Sequence, residues 1–179
     1  LVVTRAEEQI NTSQTLRRRL YGDHQYKTAE SLVDLAEFYR TMGLKPNAHQ
    51  HAQSAFQVTN ELVRQSPRDP RMIAVRRRSI LVYMGMQRKL DRSELALEAI
   101  QLAPEGETEV DRDLAEIWRH YADAKLGLLG SNDSREYEKQ LLEVHRIVQQ
   151  ALDVNEAAFG RDHPETAKCL ILQGRLAKQ

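Results

Sequence analysis

A chain of 179 residues, 41% hydrophobic and 29% charged, has the material for one folded domain or a short repeat array. No apolar run approaches the roughly 20 residues that cross a bilayer, and a formal net charge of zero gives no global basicity for nucleic acid or anionic lipid. A single cysteine, Cys169, excludes an internal disulfide and fits a reducing, cytoplasmic setting.

Ala, Leu, Glu, Arg and Gln dominate, Gly and Pro number only 8 and 5, and no period-two alternation is sustained. These are helix-forming residues, so the fold class is all-α. Breakers divide the chain into eight predicted helices. The first covers about 5–21 and stops at Gly22-Asp23. The second, about 25–42, carries the stripe Leu32, Leu35, Ala36 and Tyr39 and ends at Gly43. The third runs over about 47–65, to the Pro67–Pro70 turn, and the fourth over about 71–87. The fifth covers about 91–103 and stops at Pro104-Glu105-Gly106. The sixth, about 108–129, carries Leu114, Ile117, Trp118 and Tyr121 and is followed by Gly130-Ser131-Asn132-Asp133. The seventh, about 134–159, is lined by Leu141, Val144, Ile147, Val148, Ala151, Leu152 and Ala158. Gly160-Arg161-Asp162-His163-Pro164 then leads into the eighth, about 164–178. Apolar positions three and four apart mark faces to be buried, and they read as core rather than as cofactor contacts. Helices this short need neighbours to be stable.

An internal echo organises these elements. With an offset of 138 residues and no gap, Tyr21-Gly22 falls on Phe159-Gly160, Thr28-Ala29 on Thr166-Ala167, and Leu32-Val33 on Leu170-Ile171. Intermediate copies begin near Ile73 and near Asp111. A helical pair recurring in this way is the signature of a solenoid. In the last junction, Phe159 is expected to plug the inter-helix core and Gly160 to end its helix with a positive φ. Asp162 is expected to accept from free backbone N–H groups, with Pro164 in the first turn.

Ala99-Ile100-Gln101-Leu102-Ala103-Pro104 resembles the run that closes the second helix of a tetratricopeptide repeat. Residues 151–160, followed by Arg161-Asp162-His163-Pro164-Glu165-Thr166-Ala167, resemble the kinesin-light-chain type of that repeat. The resemblance implies a right-handed superhelix of antiparallel helix pairs. It implies one repeat domain over 1–179, with repeats at about 25–65, 71–103 and 108–159 and a partial one at 164–179. An opening on Leu1 rather than Met, and a stop in mid-pattern at Gln179, read as a segment of a longer chain.

Candidate chemistry is sparse. His49 and His51 form a short pair without a Cys or carboxylate cluster at ligand spacing, so a solvated helix start is the plainer reading and no metal is expected. Glu116 and His120 are four apart and read as a surface pair rather than an acid–base couple. Cys169 falls in the repeat core with no matching His, which speaks against a nucleophile. There is no phosphate loop, dinucleotide fingerprint, zinc-protease motif or nucleophile elbow. The expectation is no enzyme and no cofactor.

The zero net charge hides a division. Residues 64–92 hold nine basic residues against two acidic ones, and residues 105–116 hold six acidic residues against one Arg. Solvated faces pairing between adjacent repeats account for this, as does a basic strip that recruits an acidic partner. In tetratricopeptide repeats the first helices line the groove. By that resemblance Glu30, Val33, Glu37 and Arg40 face it, then Arg77, Leu81 and Met84, then Arg112, Ala115 and Arg119, then Lys168, Ile171, Arg175 and Lys178. Arg40, Arg77, Arg119, Lys168 and Arg175, with Leu81 and Met84, are the expected partner-binding residues. Where that repeat type carries paired Asn against peptide backbone, this chain has Val33-Asp34, Arg77-Arg78, Ala115-Glu116 and Ile171-Leu172, so that peptide mode does not carry over. The leading function is a non-catalytic interaction scaffold for a protein or peptide. Degenerate repeats of this kind also resemble those of bacterial signalling proteins such as Ser/Thr kinases and nucleotide-switch ATPases, which implies a regulatory or self-associating segment. Nucleic-acid binding through 64–92 is a third reading.

Overall fold

The computed structural model describes residues 2–22, 25–102, 111–130 and 133–179, without the side chains of residues 2–4 and 6. His24, the Ala103-Pro104 end of the closing run, Glu105, Glu107 and Glu109 of the acidic block, the expected start of the sixth helix, and Ser131-Asn132 lie outside the described residues. Among the described residues the chain is all-helical, with eight helices and no strand. They are α1 (Val2–Tyr21), α2 (Tyr26–Thr41), α3 (Lys45–Gln65), α4 (Pro70–Met84), α5 (Lys89–Gln101), α6 (Arg112–Leu126), α7 (Ser134–Phe159) and α8 (Pro164–Leu176). The chain divides into two compact units, Leu1–Met86 and Gln87–Gln179, a boundary inside the expected 71–103 repeat.

In the first unit, α1 packs on α2, α2 on α3 and α4, and α3 on α4. Ala48, Ala52 and Ala55 form a small-residue ridge on α3, which lets α2 approach closely. Ala29, Leu32, Val33 and Ala36 of α2 meet Ala52, Ala55 and Leu62 of α3, with Val75 and Val82 of α4 closing the cluster. Tyr39, in a second cluster with Leu35 and Ala48 against which Ile10 of α1 packs, ties α1 down by donating its hydroxyl to the Glu7 carboxylate at 2.7 Å.

The second unit repeats the plan. Helix α5 packs on α6, α6 on α7 and α8, and α7 on α8. In both units a helix therefore touches its neighbour and its next-but-one. Ile117, Ala122, Val148, Ala151 and Cys169 are buried here. Asn155, 0% exposed, donates its amide to the carbonyls of Ala115 and Ala151, each at 2.8 Å, so α7 is tied to α6.

The 138-residue echo is physical. Gly22 has φ of 86° and Gly160 of 89°. The Gly22 N–H donates to the Arg18 carbonyl and the Gly160 N–H to the Glu156 carbonyl, both at 2.9 Å. The Thr28 hydroxyl donates to the Gly22 carbonyl at 2.7 Å, and the Thr166 hydroxyl to the Gly160 carbonyl at 2.7 Å. The two copies differ in cover. Leu32 and Val33 are 8% and 0% exposed beneath α3 and α4, whereas Leu170 and Ile171 are 47% and 63% exposed.

Two junction details differ from expectation. The N-cap of α8 is His163, not Asp162, and its Nδ1 accepts from the Glu165 N–H at 3.2 Å. Phe159 does not plug a core; it is half-buried and stacks on the His163 ring at 4.6 Å. Pro164 at the first helical position fixes the register, which puts His163 where a cap must sit.

Candidate partner-binding surfaces

The expected groove residues do not share one kind of environment. In the first unit Arg40 is exposed and Leu81 half-buried, but Arg77 is 1% exposed and Met84 0%. Helix α4 buries side chains around most of its circumference, from Ile73 to Met84. Both residues are therefore unavailable to a partner in this conformation. Val33 is likewise in the core, and Glu37 is engaged by Arg78 at 3.1 Å.

The middle of the basic block, Arg76 to Arg78, is structural. Arg76 is 2% exposed, and its guanidinium lies 3.9 Å from the Phe56 ring centre while donating to the Phe56 carbonyl at 2.6 Å. It also reaches the Thr59 hydroxyl at 3.3 Å, which shares a 2.7 Å hydrogen bond with Ser79. Arg78 bridges Asp34 and Glu37, Arg71 pairs with Asp69, and Arg88 pairs with Asp91. Arg64, Arg68, Arg71, Arg88 and Lys89 stay exposed.

In the second unit α6 and α8 are joined by ion pairs. Arg119, with 15% of its side chain exposed, pairs with Glu165 at 3.0 Å, and Glu165 also pairs with Lys168. Arg175 pairs with Asp123 at 2.8 Å. Arg112 sits 5.8 Å over the Phe159 ring. His120 meets Arg119 rather than Glu116: its Nε2 lies 3.0 Å from the guanidinium. Burial first, and then the Arg119 and Arg92 charges, push His120 down to about 4, so it is neutral at neutral pH and accepts from Arg119. Burial pushes the Cys169 thiol up to about 11, and it points at the Ala151 carbonyl. His51 stacks on Tyr39 at 5.2 Å. Among the described residues no three His, Cys, Asp or Glu side chains are grouped to hold a metal.

What sequence reasoning missed is an apolar groove of about 500 Å³ between α5, α6 and α7. Trp118 and Tyr121 form its aromatic floor, edge to face with ring centres 6.0 Å apart. Leu97 of α5 and Leu142 of α7 stand on its two walls, 40% and 64% exposed. Lys139, Glu143 and Arg146 edge the α7 wall. Glu143 pairs with Lys125 at 3.1 Å, and Lys125 in turn lies 5.7 Å over the Tyr121 ring. The available sequence signals were the single Trp of the chain and the position of Leu142 off the buried stripe of α7. No helix of the described residues is long and apolar enough to cross a membrane. No protein-family model and no curated protein sequence matches this chain.

Proposed function

We propose that this chain is a non-catalytic protein-interaction module, built as a right-handed solenoid of degenerate tetratricopeptide-like helix pairs, that docks a helix or peptide of a partner. The observation that carries the reading is the open groove of the second unit, where Leu97, Leu142 and Trp118 offer apolar surface to solvent. Exposed apolar side chains gathered in a groove with a polar edge are the surface a partner's apolar side chain can bury. The neighbour and next-but-one packing of α2 with α4 and of α6 with α8 supports the helix-pair architecture. Burial of Arg76 and Arg77 weighs against nucleic acid, because it takes two of the nine basic side chains of 64–92 away from any phosphate backbone.

A second reading rests on α8. Leu170 and Ile171 are exposed where their counterparts Leu32 and Val33 are covered. That face suits a regulatory or self-associating segment in which a further helix packs.

A photoreactive amino acid placed at Leu142, at Ile171 and at the exposed Gln57 tests both. A discrete adduct with another protein from Leu142 alone is the expected result. A chain-to-chain adduct from Ile171 favours the second reading, and equal labelling from all three positions refutes a defined docking site.

A further inference from the structure

We infer that the groove between α5, α6 and α7 takes an acidic peptide segment that inserts one bulky apolar side chain between Leu97 and Leu142, over Trp118. This rests on the interaction-module reading and adds the chemistry of the occupant.

The argument is charge complementarity around an apolar floor. Lys139, Leu142, Glu143 and Arg146 follow one another at i, i+3, i+4 and i+7, so they lie along one face of α7. Lys139 and Arg146 are two turns apart, about 10 Å along the helix, with Leu142 between them. Both are exposed, and neither makes an ion pair or hydrogen bond among the described residues. Glu143, the one carboxylate among the lining residues, pairs with Lys125. Glu138 does not line the groove. The α7 edge therefore carries two cations without a partner among the described residues, Lys139 and Arg146, flanking an apolar slot, and a basic or neutral occupant would leave both unanswered. Carboxylates about two helical turns apart, with a Leu, Met or Phe between them, match both charges and the slot. The floor suits such an anchor, because an aromatic pair accepts an apolar side chain on a large rigid surface.

The test is to pan a displayed library of random dodecapeptides against the whole chain. Synthetic copies of the selected peptides are then titrated while following fluorescence of Trp118, the single Trp of the chain. The expected consensus is one large apolar residue flanked by Asp or Glu, with a shift of the Trp118 emission on binding. Lys139→Glu with Arg146→Glu should weaken these peptides about tenfold or more, and peptides with Lys in place of the acids should bind the doubly reversed chain better than the original. Leu142→Glu should remove binding. All three positions are exposed, so the variants should keep the parent's thermal unfolding, which circular dichroism checks. Selected peptides without acidic bias, or binding unaltered by charge reversal, overturn this inference and leave the interaction-module reading standing. A library that yields no binder overturns both.

Discussion

Two alanine substitutions in the second unit should have opposite signs for a reason visible only in the backbone. Gly160 has φ of 89° and ψ of 164°, a region that residues with a Cβ rarely adopt. Nothing lies within 4 Å of the Cβ that Gly160→Ala would add, so no clash contributes. The cost is backbone strain alone, about 1–3 kcal/mol, offset by about 0.4–1 kcal/mol because Ala restricts the unfolded chain. Gly174 also has open space around a new Cβ, but it sits inside α8 with no positive φ. There Gly→Ala should stabilise by about 0.5–1 kcal/mol. The two variants should thus differ by about 2 kcal/mol, or about 10 °C in Tm for a unit of this size. Urea denaturation followed through Trp118 reads the second unit directly. Destabilisation by both substitutions, or a stabilising Gly160→Ala, would refute the assignment of the cost to φ.

The threonine twins give a second check. Thr28→Val and Thr166→Val each remove a buried hydroxyl that donates at 2.7 Å to a glycine carbonyl, and each should cost about 1 kcal/mol in urea denaturation, additively in the double variant. His120 makes stability of the second unit depend on pH. Its folded value lies near 4, below the ordinary 6.5, so the unfolded state binds more protons between these values. Stability should fall as pH drops from about 6.5 towards 4, by up to about 1.4 kcal/mol per pH unit, and His120→Gln should flatten that slope in urea titrations at successive pH values. Arg76→Ala should cost the first unit about 3 kcal/mol, because a stacked, hydrogen-bonded guanidinium leaves the core, whereas Arg68→Ala at an exposed site should change little. Helical circular dichroism during thermal unfolding separates the two outcomes.

The eight helices were legible in the sequence because helix formation and termination are local. Apolar spacing, Pro at a first turn and Gly at a positive-φ stop act within a few residues, and α7 was expected at the very bounds it has, Ser134–Phe159. The junction echo was legible too, since Gly22 with Thr28 and Gly160 with Thr166 close the same short hydrogen-bonded loop. Even here the cap was off by one residue, because Asp162 and His163 both carry an acceptor and only the register set by Pro164 chooses between them. Burial of individual charges was not legible. Arg76, Arg77 and Arg78 are consecutive and chemically alike, yet the first two lie in the interior and the third answers Asp34 and Glu37 on α2. The groove was hidden for the same reason: Leu97, Trp118 and Leu142 come from three helices, and their meeting depends on how α5, α6 and α7 pack. Local chain chemistry determined where this protein is helical and where it turns. Packing between elements distant in sequence decided which side chains are core, which are ion-paired and which remain open to a partner.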